Sequence, residues 1–272
     1  MTLLPLRCRK ISPSHIVVLP SYNTGSALLE RTVREALRYW PNVWVFIDGS
    51  TDHSDTNLHK HLPELPGLRI FTSKKNRGKG ATTLWAAETA AAAGATHLLL
   101  MDADGQHPAD AIPAFMQISS ENPGAMILGQ PHFGDDAPWI RLAGRQLTIV
   151  LTHLETLWGG IGDTLFGFRV YPIAPLCQVF SETKRGARRY DFDPEVAVRL
   201  FWNGVRPIRR TVPVRYLGPE ENGVSHFHYL RDNLRMIALH TRLLPQALLR
   251  LPSIAQHRKK WGAMERRETS AL

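Results

Sequence analysis

Two carboxylates one residue apart close an apolar run in Leu98-Leu-Leu-Met-Asp-Ala-Asp-Gly-Gln-His-Pro108. Asp102 and Asp104, with Gln106 just beyond, offer hard oxygen donors. Such a set suits Mg²⁺ or Mn²⁺, which keep part of their coordination sphere for water and phosphate oxygens. An apolar run ending in acids reads as a strand delivering them to a sheet edge, and in open α/β sheets ligands sit beyond the carboxyl ends of the strands. Asp-rich turns also arise because Asp accepts bonds from nearby backbone amides. The pair gains meaning from what the other strand ends bring beside it.

Three earlier strands supply that company. His15 to Asn23 reads as a buried strand ending in a polar turn, after which Thr24 caps a helix to about Tyr39. Val43 to Asp48 is a second strand, ending in Asp-Gly-Ser-Thr-Asp52; Leu68 to Thr72 is a third, followed by Lys74-Lys-Asn-Arg-Gly-Lys-Gly80 and an alanine-rich helix to Ala93. Strands separated by helical patterns predict a parallel sheet of right-handed βαβ units. Its rim would carry Asp48, Asp52, Lys79, Asp102 and Asp104.

Further on, Ala125 to Gln130 is a strand, and Ala137 to Trp158 a helix closed by Gly159-Gly160 that carries Arg141 and Arg145 at i, i+4 spacing. Asp163 to Tyr171 is extended, with Gly167 marking a close approach or a bulge. Asp193-Pro194 starts a helix through about Trp202, and Arg209 to Tyr216 is a last strand. From His226 to Leu251, Leu230, Leu234, Ile237, Leu244, Leu248 and Leu251 recur at steps of three and four, with Arg231, Arg235 and Arg242 on a flank and Pro245 expected to kink or split the helix. The stripe can lie in a membrane interface or pack on the preceding domain. The charged tail from Gln256 reads as mobile.

Composition narrows the class. A hydrophobic fraction of 43% is ordinary for a globular protein, 272 residues are enough for one large domain or one domain plus an appendage, and 33 Lys and Arg against 24 Asp and Glu give +9, which points to an anionic partner. Cys8 and Cys177 stand far apart with no metal-ligand spacing, so the chain reads as intracellular without a disulfide scaffold. No signal-peptide pattern and no uninterrupted apolar run of membrane-spanning length occurs.

With these turns in place the chain resembles the family-2 glycosyltransferases of the GT-A fold, most closely the dolichyl-phosphate mannosyltransferase and related polyprenyl-phosphate glycosyltransferases. The resemblance covers about residues 14 to 217 and rests on Pro20-Ser-Tyr-Asn23, Asp48-Gly-Ser-Thr-Asp52, Asn76-Arg-Gly-Lys-Gly80, Asp102-Ala-Asp-Gly-Gln106 and Gly167-Phe-Arg169, in that order. It implies an α/β GT-A fold with a mostly parallel central sheet flanked by helices: residues 1 to 217 as the catalytic domain, and 218 to 272 as an amphipathic helical segment and basic tail. By position, Asp102, Asp104 and Gln106 take the metal and diphosphate site; Pro20, Tyr22, Asn23, Asp48, Lys79 and Asp102 line the nucleotide pocket; Arg141, Arg145 and Arg169 fall on the acceptor side. Two departures stand out. Ile47 replaces the first of two acids usual before Gly-Ser, and Glu220-Glu-Asn-Gly-Val-Ser-His226 stands where the family has Arg-x-x-Gly-x-Ser-Lys, so that either His226 and His228 supply the missing positive or hydrogen-bonding groups on the acceptor side or the acceptor differs from the family's usual one.

The reaction implied is inverting, metal-dependent transfer of a hexose from a GDP- or UDP-sugar to a polyprenyl phosphate or other lipid acceptor, at the cytoplasmic face of an anionic membrane surface. A phosphate acceptor is already anionic and needs no base; a hydroxyl acceptor needs one, and Asp163 is the first candidate, against its use as a turn cap. A sugar-nucleotide nucleotidyltransferase would need a Gly-rich basic loop after the first strand, which is missing. A nucleic-acid-binding protein would interleave aromatic with basic residues, and this chain does not.

Overall fold

The computed structural model describes residues 14–62, 65–132, 139–183, 189–214 and 229–270. Segment 215–228, with the altered Glu220 to His226 stretch and His228, lies outside them, as do 184–188 and the side chain of Arg141. Seven strands form one sheet: β1 (His15–Ser21), β2 (Val43–Asp48), β3 (Leu68–Ser73), β4 (His97–Leu100), β5 (Ala125–His132), β6 (Arg169–Pro172) and β7 (Arg206–Pro213). Their order is β3-β2-β1-β4-β6-β5-β7, parallel throughout except for β6, which runs antiparallel to both β4 and β5.

Alternation along the central strands divides the core. Val17, Leu19, Val45 and Ile47 face one side, where α1 (Ser26–Tyr39), α2 (Ser54–His61) and α4 (Ile112–Glu121) lie; Ile16, Val18 and Phe46 face the other, where α3 (Lys79–Ala92), α6 (Ile173–Glu182) and α7 (Phe192–Trp202) lie. Helix α5 (Trp139–Glu155) packs beside α7 and against α8 (Tyr229–Leu249), and α9 (Leu251–Ser270) follows.

Several expectations are corrected. Thr24 is not the cap of α1: its hydroxyl bonds Ser21 Oγ at 2.9 Å, and Gly25 occupies the cap position. The extended segment before Tyr171 contracts to β6, because Asp163 to Phe168 is taken up in turn bonds. Pro245 sits inside α8, and the break comes at Arg250. The tail is helical, with Pro252 in the first turn of α9 and Ile254 and Trp261 buried.

Helix α8 also turns its face unexpectedly. Met236, Leu239, Leu243 and Ala247 meet the domain, while Leu234, Ile237 and Leu248 of the anticipated stripe are exposed. The seam carries polar pairs: His240 Nδ1 lies 2.7 Å from Glu155 Oε1 on α5, and Arg242 Nη2 is 3.1 Å from Glu195 Oε1 on α7. Glu155 is fully buried, so removing its partner strands a charge or forces a proton onto it. His240→Leu is expected to lower stability by roughly 2–4 kcal/mol, with Glu155→Leu/His240→Leu recovering most of the loss in a urea-unfolding cycle; additive losses would refute the coupling.

At the edge away from the acidic turns, register sets His15 against His97, and their rings stack at 4.4 Å. Burial, then the neighbouring His97, hold His15 down to about 4, against an unfolded value of 6.5. The unfolded chain therefore takes the proton first. Stability is complete above pH 6.5 and declines as pH falls toward 4. The melting temperature of the wild type should fall more steeply across that window than that of His15→Gln; parallel profiles would reject the assignment.

Candidate active site

The turns after β1, β2 and β3 are sewn into one rim by backbone hydrogen bonds. Asn23 donates its N–H to Ser50 Oγ at 3.0 Å, and its Oδ1 accepts the Thr51 N–H at 2.8 Å. Asp52 accepts the Gly25 N–H on Oδ2 at 2.8 Å and the Ser54 N–H on Oδ1 at 3.1 Å, bracing the starts of α1 and α2. Asp48 reaches across instead: its Oδ2 accepts the N–H groups of Gly78 at 2.7 Å and Arg77 at 2.9 Å. A Cβ at Gly49 would stand 2.3 Å from Asn76 N, so the two turns nest closely only on glycine. The acid expected in the nucleotide pocket is thus engaged in holding the loop that presents Lys79. Tyr22 is partly exposed on this rim, and Pro20 lies in the last turn-ward part of β1 beside Phe46.

Lys79 is the first residue of α3. Its ammonium lies 2.7 Å from Asp102 Oδ1 at the end of β4 and 2.8 Å from Asp193 Oδ2 in the first turn of α7. Burial works against an ammonium here, but Asp102 and Asp193 outweigh it and hold Lys79 above the usual lysine range. Burial likewise pushes the Asp102 carboxyl up, and Lys79 and His107 bring it below the ordinary value. Asp104 goes the opposite way: burial and then the adjacent Asp102 push its carboxyl up. Its Oδ1 accepts the Gln106 N–H at 3.1 Å. His107 Nδ1 accepts the Asp102 N–H at 2.9 Å, so the neutral ring carries its proton on Nε2, and burial holds that ring below the ordinary histidine value despite Asp102 and Asp104.

Gly167 is the close approach that the sequence anticipates. A Cβ there would stand 2.7 Å from Asp102 Oδ2 and 2.8 Å from Lys79 Nζ. Gly167→Ala should therefore displace the bridge and lower turnover on the order of 10²-fold, the usual cost of about 1 Å of misplacement. Unchanged turnover in a folded variant would mean that the bridge tolerates the shift.

On α5 the structure pairs Arg145 Nε with Asp163 Oδ2. Asp163 Oδ1 accepts the Leu165 N–H at 2.8 Å, and its own N–H goes to Gln130 Oε1 at 2.8 Å, so it is also the turn cap. Arg169 does not suit the acceptor role implied for it. It is fully enclosed, donating to Phe166 O at 2.7 Å, Tyr171 Oη at 3.0 Å and Asp193 O at 2.8 Å. It therefore braces the start of α7 behind the site. Asp193 and Tyr190 are residues the sequence reading misses. Asp193 was legible only as a helix-starting acid, while Tyr190, whose phenol burial pushes up to about 12, adjoins Lys79 and Asp102.

Among the described residues, no three His, Cys, Asp or Glu side chains form a metal-ligand group. The site places Asp102 and Asp104 with Lys79 at the carboxyl ends of the parallel strands, and Arg145 of α5 pairs separately with Asp163. Residues 16–177 match Glycosyl transferase family 2. The chain belongs to that family. This family 2 glycosyltransferase is 27% identical over 257 residues to a dolichyl-phosphate beta-glucosyltransferase of Trichomonas vaginalis, covering 85% of this chain and 73% of that one. Its fold is similar to that of glucosyl-3-phosphoglycerate synthase from Mycobacterium tuberculosis in complex with Mn²⁺, UDP-glucose and phosphoglyceric acid, with a TM-score of 0.58, 15% identity and coverage of 85% and 80%. It is also similar to S. aureus TarS in complex with UDP-GlcNAc, with a TM-score of 0.52, 15% identity and coverage of 87% and 72%. These likenesses bear out the GT-A fold of this family 2 enzyme.

Proposed function

We propose that the enzyme transfers a hexose from a nucleotide diphosphate sugar to a polyprenyl phosphate, with inversion. The observation that supports this reading is the Asp102–Asp104 pair with Lys79 bound to Asp102: two acids to hold a cation at a diphosphate, while Arg145, paired with Asp163, is the basic group assigned to the acceptor phosphate. The likeness to a dolichyl-phosphate beta-glucosyltransferase supports the same acceptor class and makes UDP-glucose the first donor to try.

The residues fit a divalent metal, because like-charge crowding at Asp104 is what a dication relieves. Asp102, Asp104 and Gln106 would hold Mg²⁺ or Mn²⁺, the rest of its shell coming from water and donor oxygens. When bound, the ion neutralises charge developing on the departing diphosphate. The chain's own groups do the remainder. Pro20, Tyr22 and Asn23 line the nucleotide, and Lys79 sets the orientation of Asp102. Arg145, with Arg141 one turn before it, holds the acceptor phosphate. That phosphate oxygen attacks the anomeric carbon without a base. A hydroxyl acceptor would need one, and Asp163 and Asp193 each already face a cation. No helix among the described residues is long and apolar enough to cross a membrane. The enzyme meets its lipid from the cytoplasmic face in this reading, drawn to an anionic surface by its net charge of +9.

Purified enzyme should release nucleoside diphosphate and form lipid-linked sugar from a panel of UDP- and GDP-hexoses with polyprenyl phosphate and Mg²⁺ or Mn²⁺. Transfer solely to hydroxyl acceptors, or no turnover with any pair, would reject this reading.

A further inference from the structure

Two helices turn large apolar side chains to solvent. On α5, Leu147, Val150 and Leu154 are 57%, 49% and 43% exposed, and on α8 Leu234, Ile237 and Leu248 are 57%, 52% and 66% exposed. The two helices run the same way. Arg242, Gln246 and Arg250 of α8 meet Glu195, Arg199 and Trp202 of α7 in ascending order; Arg145, early in α5, pairs with Asp163, which Arg169 links to Asp193 at the start of α7, and Glu155 at the end of α5 accepts the indole N–H of Trp202 at the end of α7. Glu155 and His240 mark the seam between α5 and α8. At about 100° per residue, the apolar arc of α5 is centred roughly 110° round one way from Glu155, and that of α8 roughly 80° the other way from His240. For helices running the same way, opposite senses put both arcs on one side of the seam.

Just beyond α5, the Trp158 ring stacks with that of His153 at 6.2 Å. Leu157 and Trp158 both adopt the left-handed region, at φ 49° and 56°, which is disfavoured for residues with a Cβ. The reversal leaves Trp158 60% exposed, and an indole with one apolar and one polar edge suits a lipid headgroup boundary. Basic groups lie on or near the two helices: Arg231 and Arg242 of α8 are half-exposed while paired with Asp232 and Glu195, and the exposed Arg209 acts electrostatically on His153 of α5. An apolar strip edged by cations is complementary to an anionic bilayer.

We infer that α5 and α8 together form one bilayer-docking face, so that membrane contact is built into the catalytic domain and not confined to the C-terminal segment. This deepens the polyprenyl-phosphate reading and rests on it. The test is flotation of the full chain with phosphatidylcholine vesicles, with and without phosphatidylglycerol, for the wild type, Leu147→Gln/Val150→Gln/Leu154→Gln, Leu234→Gln/Ile237→Gln/Leu248→Gln, and Trp158→Ala. Each triple variant should lose vesicle binding at least tenfold, Trp158→Ala severalfold, and the wild type should prefer the anionic vesicles. All should keep wild-type turnover on a short, water-soluble isoprenyl phosphate. Equal flotation of wild type and the α5 variant overturns the inference, as does light scattering that finds a dimer abolished by these substitutions. Turnover on the soluble acceptor reports separately on the proposed reaction, so loss of flotation and loss of chemistry are told apart.

Discussion

Asp104→Asn is expected to cost activity and raise stability in the same molecule. The kcat/KM for nucleoside diphosphate release should fall on the order of 10²–10³-fold, the range seen when one group stabilising transition-state charge is removed. The thermal midpoint in chelator should rise, because Asp104 is half-buried beside Asp102, and burial and that neighbour push its carboxyl up. A carboxyl whose folded pKa exceeds its unfolded one costs stability above the unfolded value, and that cost vanishes as pH falls below it. The gain should therefore be present at pH 7 and absent near pH 3. Retained turnover, or a lower midpoint at pH 7, would show that the two acids do not share a diphosphate site. Such opposition between activity and stability is what a site built from crowded like charges entails.

Lys79→Met is the second large effect. The ammonium neutralises Asp102 and Asp193 together, so its removal leaves the buried Asp193 and the partly buried Asp102 without their shared cation. Breaking a buried pair by deleting one partner typically costs roughly 3–5 kcal/mol, and a comparable loss in the urea-unfolding free energy is expected. Turnover should collapse with it, since Asp102 loses the group that orients it. Lys79→Met/Asp193→Asn removes one stranded charge and should recover part of the stability without restoring turnover. A single-variant loss below about 1 kcal/mol would mean that water or a rearranged side chain compensates.

The strands that carry the site were readable because each is an apolar run ending in a polar turn, a pattern set by local chemistry alone. β1, β2, β3 and β4 fall within a residue or two of their expected bounds. What was hidden depends on contacts distant in sequence. Asp193 reads as a helix start until α7 is packed beside α3, and Arg169 reads as a phosphate ligand until the turn at Phe166 and Asp193 closes round it. Asp48 could not be separated from a base-contacting acid without knowing that Arg77 and Gly78 aim their amides at it. The C-terminal stripe was seen, but periodicity cannot tell which arc of an amphipathic helix is inward when both arcs hold leucines.

The position of β6 bears on how the chain is made. β4 sits between β1 and β6, and β6 is not synthesised until residues 169–172 emerge. Until then His97-Leu-Leu-Leu100 forms an apolar sheet edge with unpaired amides, the kind of surface that recruits other strands. At about 5–20 residues per second on the ribosome that exposure lasts on the order of ten seconds. Fragments ending before Arg169 should aggregate where those reaching beyond Pro172 do not, and a chaperone that shields strand edges would act on this enzyme in that interval.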